Sequence, residues 1–151
     1  MAVLTVSDTA RPWWLQPVDV AGLVWFRVCF GAVMVWEVCR YLAYDRVAAY
    51  YVEPDFRFTY HGFSWVTPLP GQWMYAVFAA LGVLAACITV GLAYGAATVG
   101  FFFLFTYVFL LEQATYLNHL YLVCLLSFVM IFLPANRAFS VDACLLYTSD
   151  A

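Results

Sequence analysis

The chain has 151 residues, of which 67% are hydrophobic, 21% aromatic and only 10% charged, with a net charge of -3 and a mean hydropathy of +0.90. A soluble domain carries about 45–50% apolar and about 25% charged residues, so these few charges cannot clothe a globule in water. The balance excludes a cytosolic enzyme, a disordered region and a coiled coil, and an acidic chain with scattered arginines and no lysine argues against a nucleic-acid partner.

Residues 1–16 lack the basic start and compact apolar core of a signal peptide. Arg11, Pro12, Trp13 and Trp14 predict an interfacial lead-in, because tryptophan settles at headgroup level. Pro17 and Asp19 suit the opening turn of a helix, one by its fixed φ and the other by its charge against the helix dipole. The first span is predicted over 20–43, long enough to cross a ~30 Å hydrocarbon core. It contains Arg27, Glu37 and Arg40. Arg27 and Glu37 are offset by about 80° around the helix and by ~15 Å along it, too far to pair, so each needs a partner on another helix. They are read as structural clamps.

Residues 44–72 mix Tyr, Phe and Trp with Asp45, Arg46, Glu53, Asp55, Arg57 and His61, and Pro54, Pro68 and Pro70 break any long helix. Such a segment suits the membrane interface, either packed there or serving as a lid over a site. A second span is predicted over 73–92, and GLAYG at 91–95 supplies glycines for a tight turn. Residues 96–133 are apolar throughout apart from one interruption. As one helix they would reach roughly 57 Å, nearly twice the bilayer core, so they must fold back. The polar interruption EQATYLNH, 112–119, is the only candidate elbow. It divides the run into spans at 96–111 and 120–133, and Pro134 ends the last. The predicted fold is therefore all-α, a polytopic membrane helix bundle with about four transmembrane helices. Arg11 and Arg137 fall on one side and Arg46 and Arg57 on the other, so positive charge sets no orientation.

Cys29, Cys39, Cys87 and Cys124 sit in apolar runs at irregular spacing, with Cys144 outside them. They are expected to be small buried hydrophobes rather than metal ligands or disulfides. The elbow holds the chemistry-bearing residues. If a helix continued through it, Glu112, Thr115 or Tyr116, and His119 would share one face beside Gln113 and Asn118. Histidine there can donate or accept a proton or stabilise an oxyanion, or simply anchor the elbow by hydrogen bonds.

The motifs carry a resemblance. YVFLLEQATYLNHLYLVCLLSF followed by PANRAFSVDA is similar to the N-terminal half of the vitamin K-dependent gamma-carboxylase family and its bacterial HTTM-domain relatives. WFRVCFGAVMVWE, with Arg27, Phe30, Gly31 and Glu37, resembles the family's first span. EPDFRFTYHGFSWVTPLPGQWMY resembles its first loop, and GLAYG stands where the family turns between spans two and three. The likeness covers 17–143. It implies a lyase that couples oxidation of reduced vitamin K by O₂, giving the epoxide, to addition of CO₂ to a peptide glutamate. A quinol-oxidising relative with another acceptor is one variant, and a non-enzymatic membrane module, such as a transporter or assembly partner, is the alternative.

The resemblance implies that His119 and Asn118 are the family's elbow pair assisting carboxylation. It makes Glu112 the acid closing the third span and Tyr116 the usual aromatic, with Gln113 in the same supporting polar site. The expected cofactor is the quinol, with O₂ and CO₂ as co-substrates. The expected partners are the lipid bilayer and a glutamate-containing protein, and the expected place is the bacterial cytoplasmic membrane. The family's quinol-deprotonating lysine lies in a later span, roughly one hundred positions further on by span lengths. The final CLLYTSDA, 144–151, resembles a translated sequencing-library adapter, which predicts an artefactual tail on a fragment inactive by itself.

Overall fold

The computed structural model describes residues 20–54, 58–111, 113, 118–136 and 138–144. The expected lead-in at 1–16, Pro17, Asp19, Glu112, Thr115, Tyr116 and the expected tail from 145 onward lie outside them.

Among the described residues the fold is carried by the long α-helices α1 Ala21–Ala43, α2 Gln72–Val90, α3 Tyr94–Leu110 and α4 Asn118–Phe132. Among the described residues no strand occurs. The break between α3 and α4 falls within the predicted elbow, so the long apolar run folds as two helices packed on each other. α1 and α2, of 23 and 19 residues, are long and apolar enough to cross a membrane; α3 and α4, of 17 and 15, are equally greasy but shorter. Only a third of the α1 and α2 windows is buried inside the bundle. Trp25, Trp36, Trp73 and Phe103 point outward. Helices apolar on every face require an apolar surrounding, which is what a bilayer provides.

α1 packs on α2, α2 on α3, and α3 on α4. α1 and α2 come close at Gly31, where a Cβ would stand 2.8 Å from the Thr89 nitrogen and 2.9 Å from the Ala85 oxygen. Small residues at such a crossing let two backbones touch, the main source of helix association in lipid. Phe30 meets Phe101 edge to face at 5.8 Å, tying α1 to α3 through the core.

Each helix end has a local cause. α1 stops at Tyr44, and Asp45 takes φ 50°, a left-handed conformation that aspartate tolerates better than most residues. α2 closes on Gly91 at φ 69°, with the Leu92 N–H bonded to the Cys87 carbonyl at 2.9 Å and the Gly91 N–H to that of Ile88 at 3.2 Å. This is the glycine-terminated closure expected of GLAYG. Gly95, by contrast, sits within α3 in open space and is not needed for the turn.

α3 is capped from far along the chain. Asp142 Oδ1 accepts from the Ala93 N–H at 2.8 Å and Oδ2 from the Tyr94 N–H at 3.0 Å. Those N–H groups, the Tyr94 one first, hold the Asp142 carboxyl below the usual carboxylate range against a smaller opposing effect of burial. A depressed pKa means the stabilisation is complete above the unfolded value of about 3.9 and is lost as pH falls through the lower folded value. Asp142→Ala is expected to destabilise by about 1 kcal/mol at neutral pH, seen as a lower melting temperature, with the difference closing in strong acid. Equal melting at neutral pH would remove the cap from the account.

The same end of the bundle holds Arg27, which is fully buried. Its Nη1 donates to the Ala135 carbonyl at 3.1 Å and its Nη2 to the Phe139 carbonyl at 2.6 Å. The expected partner on another helix is not what Arg27 finds: its acceptors are main-chain carbonyls just past α4. Tyr94 adds a bond from its hydroxyl to the Met130 carbonyl at 2.9 Å, and Ser140 is packed beneath Gly91. The motif PANRAFSVDA is therefore the seam that closes the bundle on α1 and on the α2–α3 turn.

The cysteines correct one expectation. Cys124 is buried and Cys87 partly so, but Cys29 and Cys39 face outward from α1. In a lipid-facing helix an apolar thiol has no need of a protein core.

Candidate functional site

The opposite end of the bundle contains a cavity of about 500 Å³. Its position follows from the antiparallel packing: the C-terminal halves of α1 and α3 meet the N-terminal halves of α2 and α4 there. Met34 and Val38 of α1, Phe78 and Leu81 of α2, Phe101, Phe105 and Val108 of α3, and Leu120 and Val123 of α4 give it apolar walls. Tyr41 lies nearly parallel to Phe78 at 5.5 Å, and Phe101 to Phe105 at 5.6 Å.

One part of the lining is polar. α1 contributes Glu37 and Arg40, and α4 contributes His119 at its second position. The segment after α1 contributes Arg46, Tyr50 and Tyr51, the last two from a π-helical turn over Ala48–Val52. That turn is closed by the Glu53 N–H on the Ala48 carbonyl at 3.0 Å. Such wide turns recur where a side chain must be re-aimed toward a site.

Glu37 overturns its expectation. Its partner is Arg40 on the same helix, with Nε at 3.2 Å and Nη2 at 2.6 Å from Glu37 Oε2. The spacing of three residues puts both on one face, so α1 neutralises its own acid without help from another helix. Paired charges at membrane depth are far less costly than single ones, and this pair opens into the cavity.

The elbow residues separate. His119 reaches the cavity. Asn118 begins α4, is exposed and is not part of the lining. Gln113 is exposed, and its main-chain N–H donates to the Phe58 carbonyl at 2.7 Å, so it joins the elbow to the first loop. α3 ends at Leu110 and α4 starts at Asn118. Glu112 and Tyr116 lie outside the described residues. Arg27 is at the other end of the bundle.

The first loop divides between the two roles open to it. Its 46–51 part walls the cavity, as a lid would. Its later part docks on the end of α3. The Tyr107 hydroxyl donates to the Thr67 carbonyl at 3.0 Å and accepts from the Leu69 N–H at 3.2 Å, and Tyr60 stacks on Phe109 at 5.5 Å. Phe58, Phe63 and Trp65 stay exposed beside it, the composition of an interfacial surface.

Arg40, Arg46, Tyr41, Tyr50 and Tyr51 were not picked out as site residues from the sequence. The pairing of Glu37 with Arg40 was readable from their spacing. For Arg46 and the tyrosines no local pattern distinguishes a cavity wall from an interfacial loop.

The sequence model of the HTTM domain matches residues 15–150. The chain belongs to the HTTM-domain family. No solved structure matches it. In this chain the domain is an α-helical bundle, with two helices long and apolar enough to cross a membrane. The motif after α4 closes one end of it, while the first turn of α4 brings His119 to a cavity at the other.

Proposed function

We propose that this HTTM domain binds a lipid-soluble quinol in the cavity and serves a vitamin K-dependent carboxylation of peptide glutamate, with the bundle crossing the bacterial cytoplasmic membrane four times. The observation that carries the reading is the meeting of His119 with the Glu37–Arg40 pair in one aromatic-walled cavity. The residues fit such a group. Phe78, Phe101 and Phe105 offer ring faces to an apolar ring, while His119, Glu37 and Arg40 offer donors and acceptors to its oxygens. When bound, reduced vitamin K with O₂ supplies the strong base that the side chains themselves lack.

The chain's own part is positioning and charge. The apolar walls keep water from the reacting γ-carbon, which would otherwise be reprotonated. His119 donates a hydrogen bond to the charge that grows on the acceptor carboxylate as its γ C–H bond is broken. The Glu37–Arg40 pair orients donors toward the ligand's oxygens.

The test is incorporation of labelled CO₂ into a glutamate-containing peptide by membranes carrying the product of the whole gene. Label that appears only with reduced vitamin K is expected. Absence of label, or label indifferent to the quinol, would leave the non-enzymatic membrane module as the better reading. A basic residue in a later span of the same gene favours the enzyme, and an apolar residue there favours the module.

A further inference from the structure

We infer that Arg46 is the anchoring cation of the cavity and receives an aliphatic carboxylate of the ligand. This rests on the reading of the cavity as the ligand site, and not on the carboxylation step. The polar part of the lining holds two guanidinium groups and one carboxylate. Arg40 is already engaged, with two nitrogens on Glu37. Arg46 has no acid within ion-pair distance among the described residues. The neighbouring Asp45 accepts a hydrogen bond from the Tyr75 hydroxyl of α2 instead.

Arg46 is held instead by aromatic rings, 5.8 Å from the centre of Tyr41 and 5.7 Å from that of Tyr44. Contacts of this kind fix a guanidinium in place while leaving N–H groups to be satisfied. An uncompensated cation beside apolar walls is unfavourable, and an entering carboxylate both neutralises it and fits its two-pronged edge. The neutral hydroxyls of a quinol give no reason for this second guanidinium. The apolar walls select a carboxylate borne on a hydrocarbon chain. Two sources present one: the side chain of a peptide glutamate, and a fatty acid from the bilayer.

The experiment is calorimetric titration of the detergent-purified full-length protein with two matched pairs, a glutamate peptide against its glutamine counterpart and palmitate against hexadecanol. The acid is expected to bind about tenfold tighter than its neutral partner in at least one pair, by the strength of a charge-assisted bond. Arg46→Gln is expected to abolish that preference, and Arg46→Lys to keep part of it, since lysine retains charge without the fork. Circular dichroism and melting curves establish that both variants are folded. Should Arg46→Gln unfold, Arg46→Lys decides: a several-fold weaker preference supports the assignment and an unchanged one overturns it. Preference confined to palmitate supports Arg46 while removing the glutamate acceptor from this cavity, so the two readings fail separately. Equal binding of acid and neutral ligands by the unaltered protein, or a preference that survives Arg46→Gln, overturns the inference.

Discussion

His119→Ala in the product of the whole gene is expected to lower carboxylation about a hundredfold or more while leaving membrane insertion and helix content unchanged. The size follows from the role. A single preorganised donor to a developing oxyanion typically contributes 10²–10³ in rate. The structural cost should be small, because His119 is exposed at the second position of α4 and its side chain is not part of the buried core. Labelled CO₂ uptake measures the first effect, and circular dichroism of the purified protein the second. A variant that carboxylates at the unaltered rate would take His119 out of the chemistry.

Gly91→Ala is expected to produce the largest loss of stability of any single methyl addition at the closed end. A Cβ at that position would stand 2.4 Å from Arg27 Nη1 and 2.4 Å from Ser140 Cβ, in a backbone at φ 69°. The left-handed conformation alone costs roughly 1–2 kcal/mol for a residue with a side chain. Displacing a buried guanidinium from its two carbonyls adds more, since each charged hydrogen bond contributes about 1.5–3 kcal/mol. A total of about 3 kcal/mol or more is expected, measured by unfolding in mixed micelles. A double-mutant cycle with Arg27→Ala isolates the cause. The glycine substitution should be distinctly less damaging once the guanidinium is gone, with a coupling of about 0.5 kcal/mol or more. Additive effects would mean that the two residues do not press on one another.

These two residues also mark what could be read from the sequence. The fold was legible where length met solvent. The apolar run from 96 to 133 was too long for one crossing, and the chain breaks within the predicted stretch. The turn at 91–95 was legible from its two glycines, of which Gly91 makes the closure. His119 was legible as a polar residue at a hairpin apex. The partners of the buried charges were not. The two terminal nitrogens of Arg27 donate to main-chain carbonyls, which every residue possesses and no sequence advertises. The spacing of Glu37 from Arg27 points to a partner on another helix, whereas the partner is Arg40, one turn away on the same helix. Arg46 was hidden for a different reason. Its importance comes from sharing a cavity with α1, α2, α3 and α4, and a wall built from five stretches of chain has no local signature.

The anchoring of Arg27 bears on how the protein is made. Its acceptors at Ala135 and Phe139 are synthesised 108 and 112 residues after it. A nascent first helix therefore enters the lipid carrying a guanidinium whose acceptors do not yet exist. Until the ribosome delivers them, that end of the helix must remain within reach of water or of the insertion machinery. A turn translated only after α4 is the one that lets the first helix settle.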